Sequence, residues 1–436
     1  METLEEIISN GLEGRRLEFK ESFPMDNKIA KTAIAFSNGV GGKIIFGVKD
    51  ETKEVVGIEE QNIFKLEEQI SQSIFDNCYP TIIPEITIHT FKNKTLLVVV
   101  IYPGNDLPYF LKSKGKKNGV YIRVGSSNRI ANDELIAELE RRKRHISYDS
   151  LPILDYQNVL PELRDFKNFY KDKTGIELSK ENLLSMELLK QERDIIFPTN
   201  AFFLLAEKEI RKTYFPFAQI ECARFKGVTT AEIIDQSSSD ASIILQAEEA
   251  IKFIKRNIAK HSTIGDVYRK DKWEYPIEAI REVVINAIIH RDYSILGSDI
   301  KIAIFDDMLE VTSPGTLMPS FDLNDVGNNP SEIRNKVLAP IFKTCNLIEK
   351  WGSGFKKILE QMKNYPELEL KILEPSNATQ IQFIKRDFVG KKNEVSEKVS
   401  EKVSEKVSEK IVRLIQNNAN ITIREMSDLI GVSTRT

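Results

Sequence analysis

LEFKESFPMDNKIAKTAIAFSNGVGGKIIFGVKD, residues 17–50, decides the fold of the first part of this chain. In Leu17–Lys20 the alternation of a strand puts Glu18 and Lys20 on one face and Leu17 and Phe19 on the other. The apolar spacing over Asn27–Ser37 predicts a helix, and the β-branched run Lys43–Val48 predicts a strand. Gly39, Gly41 and Gly42 lie between them. Their turn lacks the GxxxxGK[ST] spacing and leads into a strand, so it reads as a tight helix-to-strand connection rather than a phosphate cradle. Working outward, Gln61–Phe75 is helical by pattern and Thr95–Tyr102 (TLLVVVIY) is strand-like, which makes a mixed α/β domain. It closes with YIRVGSSNRIAN and a charged helix, DELIAELERRKRHISY, whose basic end marks a boundary near residue 146.

The chain has 436 residues, more than one hydrophobic core usually serves, so a multidomain protein is expected. With 41% hydrophobic and 29% charged residues it has globular composition, and a net charge of -3 provides no overall basic field. Any nucleic-acid contact must come from a local patch. The 3 cysteines, Cys78, Cys222 and Cys345, are too scattered for a disulfide framework or metal knuckle, and 4 histidines leave little for a histidine cage. With no signal-like start and no long apolar run, the expectation is a cytosolic protein without a membrane partner.

A second α/β block runs over 150–387. Within it Pro276–His290 reads as a helix with proline in its first turn, Ile300–Thr312 as two strands around Asp306 and Asp307, and NPSEIRNKVLAPIFKTC as the start of another helix. Residues 388–410 form a linker carrying four VSEK repeats, Val395–Lys410, and 411–436 read as the opening of a winged helix-turn-helix whose recognition helix only begins at Ser433.

Three acids near the start carry possible chemistry. Glu18 shares a strand face with Lys20, Glu13 can fold back across Gly14, and Asp50 follows the Lys43–Val48 strand. Carboxylates converging at strand ends bind divalent cations through oxygen, and a bound ion can activate water and stabilise charge on phosphorus, with Lys20 a further electrostatic group. The plain alternative is a solvated acidic rim. LEFKES, AFSNGVGGKIIFGVKDETKEVVGI and YIRVGSSNR together resemble the Alba-like core domain shared by Schlafen proteins and many prokaryotic relatives. The resemblance covers nearly all of residues 1–140, within a domain bounded at 1–146, and places Glu13, Glu18 and Asp50 on the acids of the nuclease-active members. It implies a Mg2+- or Mn2+-dependent endonuclease acting on structured RNA such as transfer RNA, and, with one such domain per chain, a homo-oligomer. Arg123, Arg129, Lys112 and Lys114 are the candidates for nucleic-acid contact, against a solvated lysine loop as the alternative for the lysines.

In REVVINAIIHRDY, Glu282, Asn286 and His290 recur every four residues and share one helical face. An exposed hydrogen-bonded edge would explain the stripe. So would a magnesium–nucleotide site, with Asn286 on the metal and Glu282 positioning water. The stretch resembles the N box of the gyrase, mismatch-repair and histidine-kinase ATPase superfamily, in the divergent branch fused to Schlafen-type domains. That resemblance implies an ATPase-like α/β sandwich, places Gly315 in a G1-like position within FDDMLEVTSPGTL, and places Gly352 and Gly354 in a G2-like position within EKWGSGFKKI. The adenine-contacting aspartate falls on Ser313, so ATP binding is expected ahead of hydrolysis, with a degenerate assembly domain as the alternative. Two functional readings stand: a nuclease coupled to a nucleotide-binding domain in defence or stress, and a non-catalytic DNA-binding transcriptional regulator.

Overall fold

A computed structural model describes residues 4, 7–8, 13–24, 27–50, 52–156, 160, 162–264, 269–318, 332–348, 354–375 and 377–388. The VSEK linker, the terminal winged-helix segment and Gly352 lie outside the described residues. The protein is a multidomain mixed α/β structure.

β1 (Leu17–Lys20), β2 (Gly42–Phe46), β4 (Glu85–Phe91) and β5 (Lys94–Ile101) form one sheet in the order β1-β2-β5-β4, with β1 parallel to β2 and the other pairs antiparallel. The helix Lys28–Asn38 makes the crossover that a parallel pair requires. Phe19, Ile45, Leu96 and Val98 pack on one face of this sheet, while Ile44, Phe46, Leu97 and Val99 pack with the helices Lys28–Asn38 and Glu60–Asn77 on the other. Gly41 has φ +77°, and a Cβ there would stand 2.5 Å from Ile101 O, which leaves room only for glycine. The amides of Gly39 and Gly41 both donate to Phe36 O, so they close the turn and do not present a phosphate cradle. A short pair, β3 (Cys78–Tyr79) with β6 (Phe110–Leu111), flanks the sheet. The hairpin β7 (Tyr121–Val124) with β8 (Ser127–Ile130) lies against the helix Lys28–Asn38 and leads into the helix Asp133–Lys143, capped by the Asn132 side chain on Leu135 N.

A separate apolar cluster runs from Leu163 to Phe383. Its frame is a six-stranded sheet. β11 (Ile220–Phe225), β12 (Ile233–Ser239), β15 (Ile300–Ile304), β16 (Met308–Pro314), β17 (Leu368–Leu373) and β18 (Ala378–Lys385) take the order β12-β11-β15-β16-β18-β17, while β9 (Leu189–Glu192) with β10 (Ile195–Pro198) and β13 (Lys260–Ile264) with β14 (Arg269–Trp273) form separate antiparallel pairs. The helices Ile243–Asn257, Ile277–His290 and Gly354–Met362 bury their apolar residues against one face. Thr312, Gln380, Gln382 and Glu310 form a hydrogen-bonded polar row along β16 and β18. This is a two-layer arrangement. The helix expected within NPSEIRNKVLAPIFKTC starts only at Leu338, because Asp149 Oδ2 accepts from both Val337 N (2.8 Å) and Leu338 N (2.9 Å) and caps it there. Ahead of that cap, Arg334 and Asn335 are buried with their side chains bonded to backbone.

Candidate functional site

In the first domain the alternation of β1 sends Glu18 and Lys20 toward the helix Lys28–Asn38 and buries Phe19 behind them. Glu18, 8% exposed, accepts from Arg123 Nη1 at 2.5 Å and from Thr32 Oγ1 at 3.4 Å, and its other oxygen lies 3.2 Å from Lys20 Nζ. Lys20 Nζ also donates to Asp50 Oδ2 at 2.6 Å. Burial works to lower the Lys20 pKa, but the bonds and charges of Asp50 and Glu18 outweigh it and hold the ammonium above the usual lysine value. Glu13 goes elsewhere. Its Oε1 accepts from Phe19 N at 2.8 Å, tying the Gly14 loop to β1.

The fold thus gathers Glu18, Lys20, Asp50 and Arg123, and leaves Glu13 beside them as a backbone clamp. Among the described residues no three His, Cys, Asp or Glu side chains come together as a metal-holding group. The acids in this arrangement do not fit Mg2+ or Mn2+, because an ammonium stands between Glu18 and Asp50 and the third carboxylate is turned to an amide.

Arg123, expected to contact nucleic acid, is 8% exposed, donates to Gly14 O and Asn128 Oδ1 as well as to Glu18, and lies over the Phe36 ring, so its guanidinium is engaged within the domain. A β7 position alternating inward accounts for this. Arg129, one residue beyond Asn128 on β8, is exposed. Lys112 and Lys114 are exposed too, with Lys112 Nζ on Phe75 O (3.0 Å) and Lys114 Nζ on Tyr121 Oη (3.3 Å).

In the second domain, Glu282, Asn286 and His290 do share a face of the helix Ile277–His290. Asn286 Nδ2 donates to Glu282 Oε1 at 3.4 Å, a long bond, and Gly354 at the head of the described helix Gly354–Met362 lies against the same carboxylate. A Cβ at Gly354 would stand 2.0 Å from Glu282 Oε1. His290 is half-buried, and its Nδ1 is buried with no hydrogen-bond partner among the described residues. Burial, reinforced by the Arg334 guanidinium, pushes its pKa down to about 4. Gly315 has φ +105°, with Asp292 and Arg334 packed where a side chain would go.

The residues fit a nucleotide at one end. Gly354, without a side chain, packs on the Glu282 carboxylate that Asn286 bonds, and Asn286 and Glu282 are of the residue types that hold a metal and its phosphates. The base end is different: Ser313 is buried and its hydroxyl donates to Ala287 O at 2.8 Å, so it offers no carboxylate to an adenine. Asp292, beside Gly315, already accepts the amide and hydroxyl of Ser294.

Two arginines missed in the sequence join these regions. Arg15 donates to Glu374 Oε1 (2.6 Å) and to the carbonyls of Leu317 (3.4 Å) and Met318 (3.3 Å), while Leu317 N donates to the same Glu374 oxygen. Arg334 reaches Glu138 Oε1 (3.2 Å) on the helix Asp133–Lys143, His290 O (2.9 Å) and Thr316 O (2.8 Å). The segment after Gly315 is therefore held to the loop that carries Glu13. An arginine pair between two glutamates, EGRRLE, was the available signal for Arg15; nothing local distinguished Arg334.

Comparison with known proteins places these regions in two families. Residues 13–132 match the family described as "Schlafen, AlbA_2", and residues 297–383 match the one described as "Putative ATP-dependent DNA helicase recG C-terminal". The chain is 30% identical to an uncharacterized ATP-binding protein of Ureaplasma parvum serovar 3 over 142 residues, 31% of this chain and 40% of that protein, so it spans less than half of that relative's length. A crystal structure of a Corynebacterium diphtheriae protein is similar with TM-score 0.45 and 20% identity, covering 88% of this chain and 79% of that one. The solution structure of the N-terminal domain of a RecG-related protein from Nitrosomonas europaea gives TM-score 0.23 and 25% identity, covering 29% of this chain and 88% of that one. The chain therefore combines a Schlafen AlbA_2-type domain with a recG C-terminal-type, ATPase-like domain.

Proposed function

We propose that this chain is a nucleic-acid-binding protein whose AlbA_2-type domain responds to nucleotide held by the ATPase-like domain. The observation that carries the reading is the double tie across the domains: Arg15 on Glu374 and the Leu317–Met318 carbonyls, and Arg334 between Glu138, His290 O and Thr316 O. Any nucleotide that moves the Gly315–Met318 segment must strain or release these bonds. Arg15 is separated from Glu13 by one residue, and the intervening Gly14 carbonyl is held by Arg123, which also holds Glu18. A shift on one side thus reaches the acids through covalent neighbours and two hydrogen bonds. Such coupling is reciprocal in free energy and needs a differential affinity for two states.

ATP is the proposed nucleotide, in keeping with the name of the Ureaplasma relative and the family match. Asn286 and Glu282 would serve the metal and phosphates, Gly354 would allow their close approach, and His290, neutral above about pH 4, would not compete as a cation. Gly315 would leave the backbone room near the base, and Gly352 belongs to the same proposed G2-like segment. Hydrolysis has weaker support because Ser313 is engaged with Ala287 O.

Binding without cleavage is what the acid geometry supports. Endonuclease action on structured RNA, the finer reading from the Schlafen likeness, requires Glu13, Glu18 and Asp50 to regroup around a divalent ion and Lys20 to leave the gap between two of them. The test compares wild type with a Glu18→Ala, Asp50→Ala variant on transfer RNA, single-stranded DNA and duplex DNA in Mg2+ or Mn2+. Retained binding with no cleavage by either protein is expected. Cleavage by wild type alone would establish the nuclease instead, and no binding to any substrate would overturn the proposal.

A further inference from the structure

The helix Glu60–Asn77, β3 and β6 meet at a surface that the acid site does not use. Phe75 on the last turn of that helix is 58% exposed, Tyr79 on β3 is 55% exposed and Ile83 is 81% exposed. Tyr79 pairs with Phe110 of β6 in strand register, and their rings stand 5.3 Å apart in a tilted contact. Lys112 follows β6 and donates to Phe75 O at 3.0 Å, which brings Phe75, Tyr79, Phe110 and an ammonium onto one ridge. A rim of exposed Lys114, Lys116 and Lys117 continues from it; Lys116 pairs with Glu140, and Asp76 borders the aromatic end.

Large aromatic rings left open to water need a reason. A core role is excluded by their exposure, since the buried residues of the same segment, Ile70, Ile74, Cys78 and Leu111, already fill the interior. The base of the ridge is rigid: the Asn38 side chain donates to Tyr109 O and Tyr121 O and accepts from Tyr109 N. Two open rings beside several lysines match the chemistry of single-stranded nucleic acid, whose bases stack on aromatic faces while phosphates meet ammonium groups. Duplex bases, already stacked, cannot use the rings. Lys114 Nζ on Tyr121 Oη ties the lysine rim to β7, and Arg123, two residues along β7, holds Glu18. β7 therefore links the lysine rim to the acid pocket through buried side chains.

We propose that Phe75 and Tyr79, with Lys112 and Lys117, form a stacking platform for unpaired nucleotides on the same domain that carries Glu18 and Asp50. This rests on the nucleic-acid-binding reading above and narrows it to single-stranded substrates or the unpaired loops of structured RNA.

The experiment titrates the full chain into a fluorescein-labelled single-stranded oligonucleotide of about 15 nucleotides, within the roughly 4–16 nucleotides that an OB-type single-strand-binding fold covers, and into a blunt duplex of equal length, both in EDTA. Wild type is expected to prefer the single strand. Phe75→Ala with Tyr79→Ala should weaken single-strand binding roughly 5- to 150-fold, the range for lost base stacking, and leave the duplex unchanged. Lys112→Ala with Lys117→Ala should weaken both and flatten the salt dependence. Tyr79→Phe, which keeps the ring, should bind as wild type, and the exposed positions should leave thermal melting unmoved. Wild-type binding that the aromatic double variant does not alter would overturn the platform while leaving the parent reading intact. Absence of any wild-type binding would overturn both. A change of oligomeric state in that variant without a change in oligonucleotide affinity would assign the rings to a second copy of the chain and overturn the platform.

Discussion

The two polar sites are built on opposite electrostatic plans. Around Glu18 every principal charge meets its opposite: Arg123 and Lys20 on Glu18, Lys20 on Asp50. Around Asn286 the contacts are longer or go to backbone: Asn286 on Glu282 at 3.4 Å, Ser313 on Ala287 O, Arg334 on His290 O, and His290 Nδ1 with no hydrogen-bond partner among the described residues. A self-neutralised cluster is stiff and resists a new cation, because any ion must displace an ammonium already in place. A helix face held by a long side-chain bond can re-form its bonds around a ligand at smaller cost. The difference assigns fixed positioning to the first site and responsiveness to the second.

The largest expected effect comes from breaking the self-neutralised plan. Arg123→Met would leave the buried Glu18 carboxylate with Lys20 as its cationic partner and should destabilise the protein by about 3 kcal/mol, the low end for breaking a buried pair, whereas Arg123→Met combined with Glu18→Leu should recover much of that loss. Thermal and denaturant melting of the full chain reads both; a double variant no better than the single one would show that packing, not charge, holds this corner.

Next in size is acid. His290 titrates near pH 4 in the folded state, below its ordinary value of 6.5, so it adds no penalty above that value. As pH falls from 6.5 toward 4 the unfolded chain takes up the proton first, and stability should drop by up to about 3 kcal/mol. His290→Gln should remove this part of the pH dependence; an unchanged slope would place the effect elsewhere, for example in the carboxylates.

Gly354→Ala sharpens the responsive site. Its methyl would press on Glu282 Oε1, so the helix head or the glutamate must move, and ATP affinity should fall about tenfold, roughly 1.4 kcal/mol. Titration calorimetry checks it, with Ala at exposed Lys356 as the control. Smallest is Glu374→Gln, which keeps an acceptor for Arg15 and Leu317 N but removes the charge, with about 1 kcal/mol or less expected in stability.

Much of the fold was legible because its periods are strong. The strands around Ile44 and Val98 and the helix ending at His290 appear within a few residues of their expected places. The late start of the Leu338 helix was hidden because its cap, Asp149, comes from nearly two hundred residues away. Site legibility was uneven for the same reason. Glu18, Lys20 and Asp50 could be grouped from strand alternation and their place beside β2, and the structure brings them together. The sequence could not show that Lys20 would stand between the acids, that Glu13 would bond to Phe19 N, or that Arg123 would be buried, since each depends on side-chain packing across different elements. Arg15 and Arg334 were invisible as a coupling pair because their partners lie 359 and 196 positions away along the chain.

The central claim is that nucleotide in the second domain alters nucleic-acid binding by the first through Arg15 and Arg334. Its most direct test is the affinity of the full chain for one labelled oligonucleotide with and without saturating ATP and Mg2+, in wild type and in Arg15→Ala. The account predicts a shift of about fivefold or more in wild type, the ordinary scale of coupling between sites, and its loss in the variant while ATP still binds. ATP that binds wild type without moving the oligonucleotide affinity would contradict it.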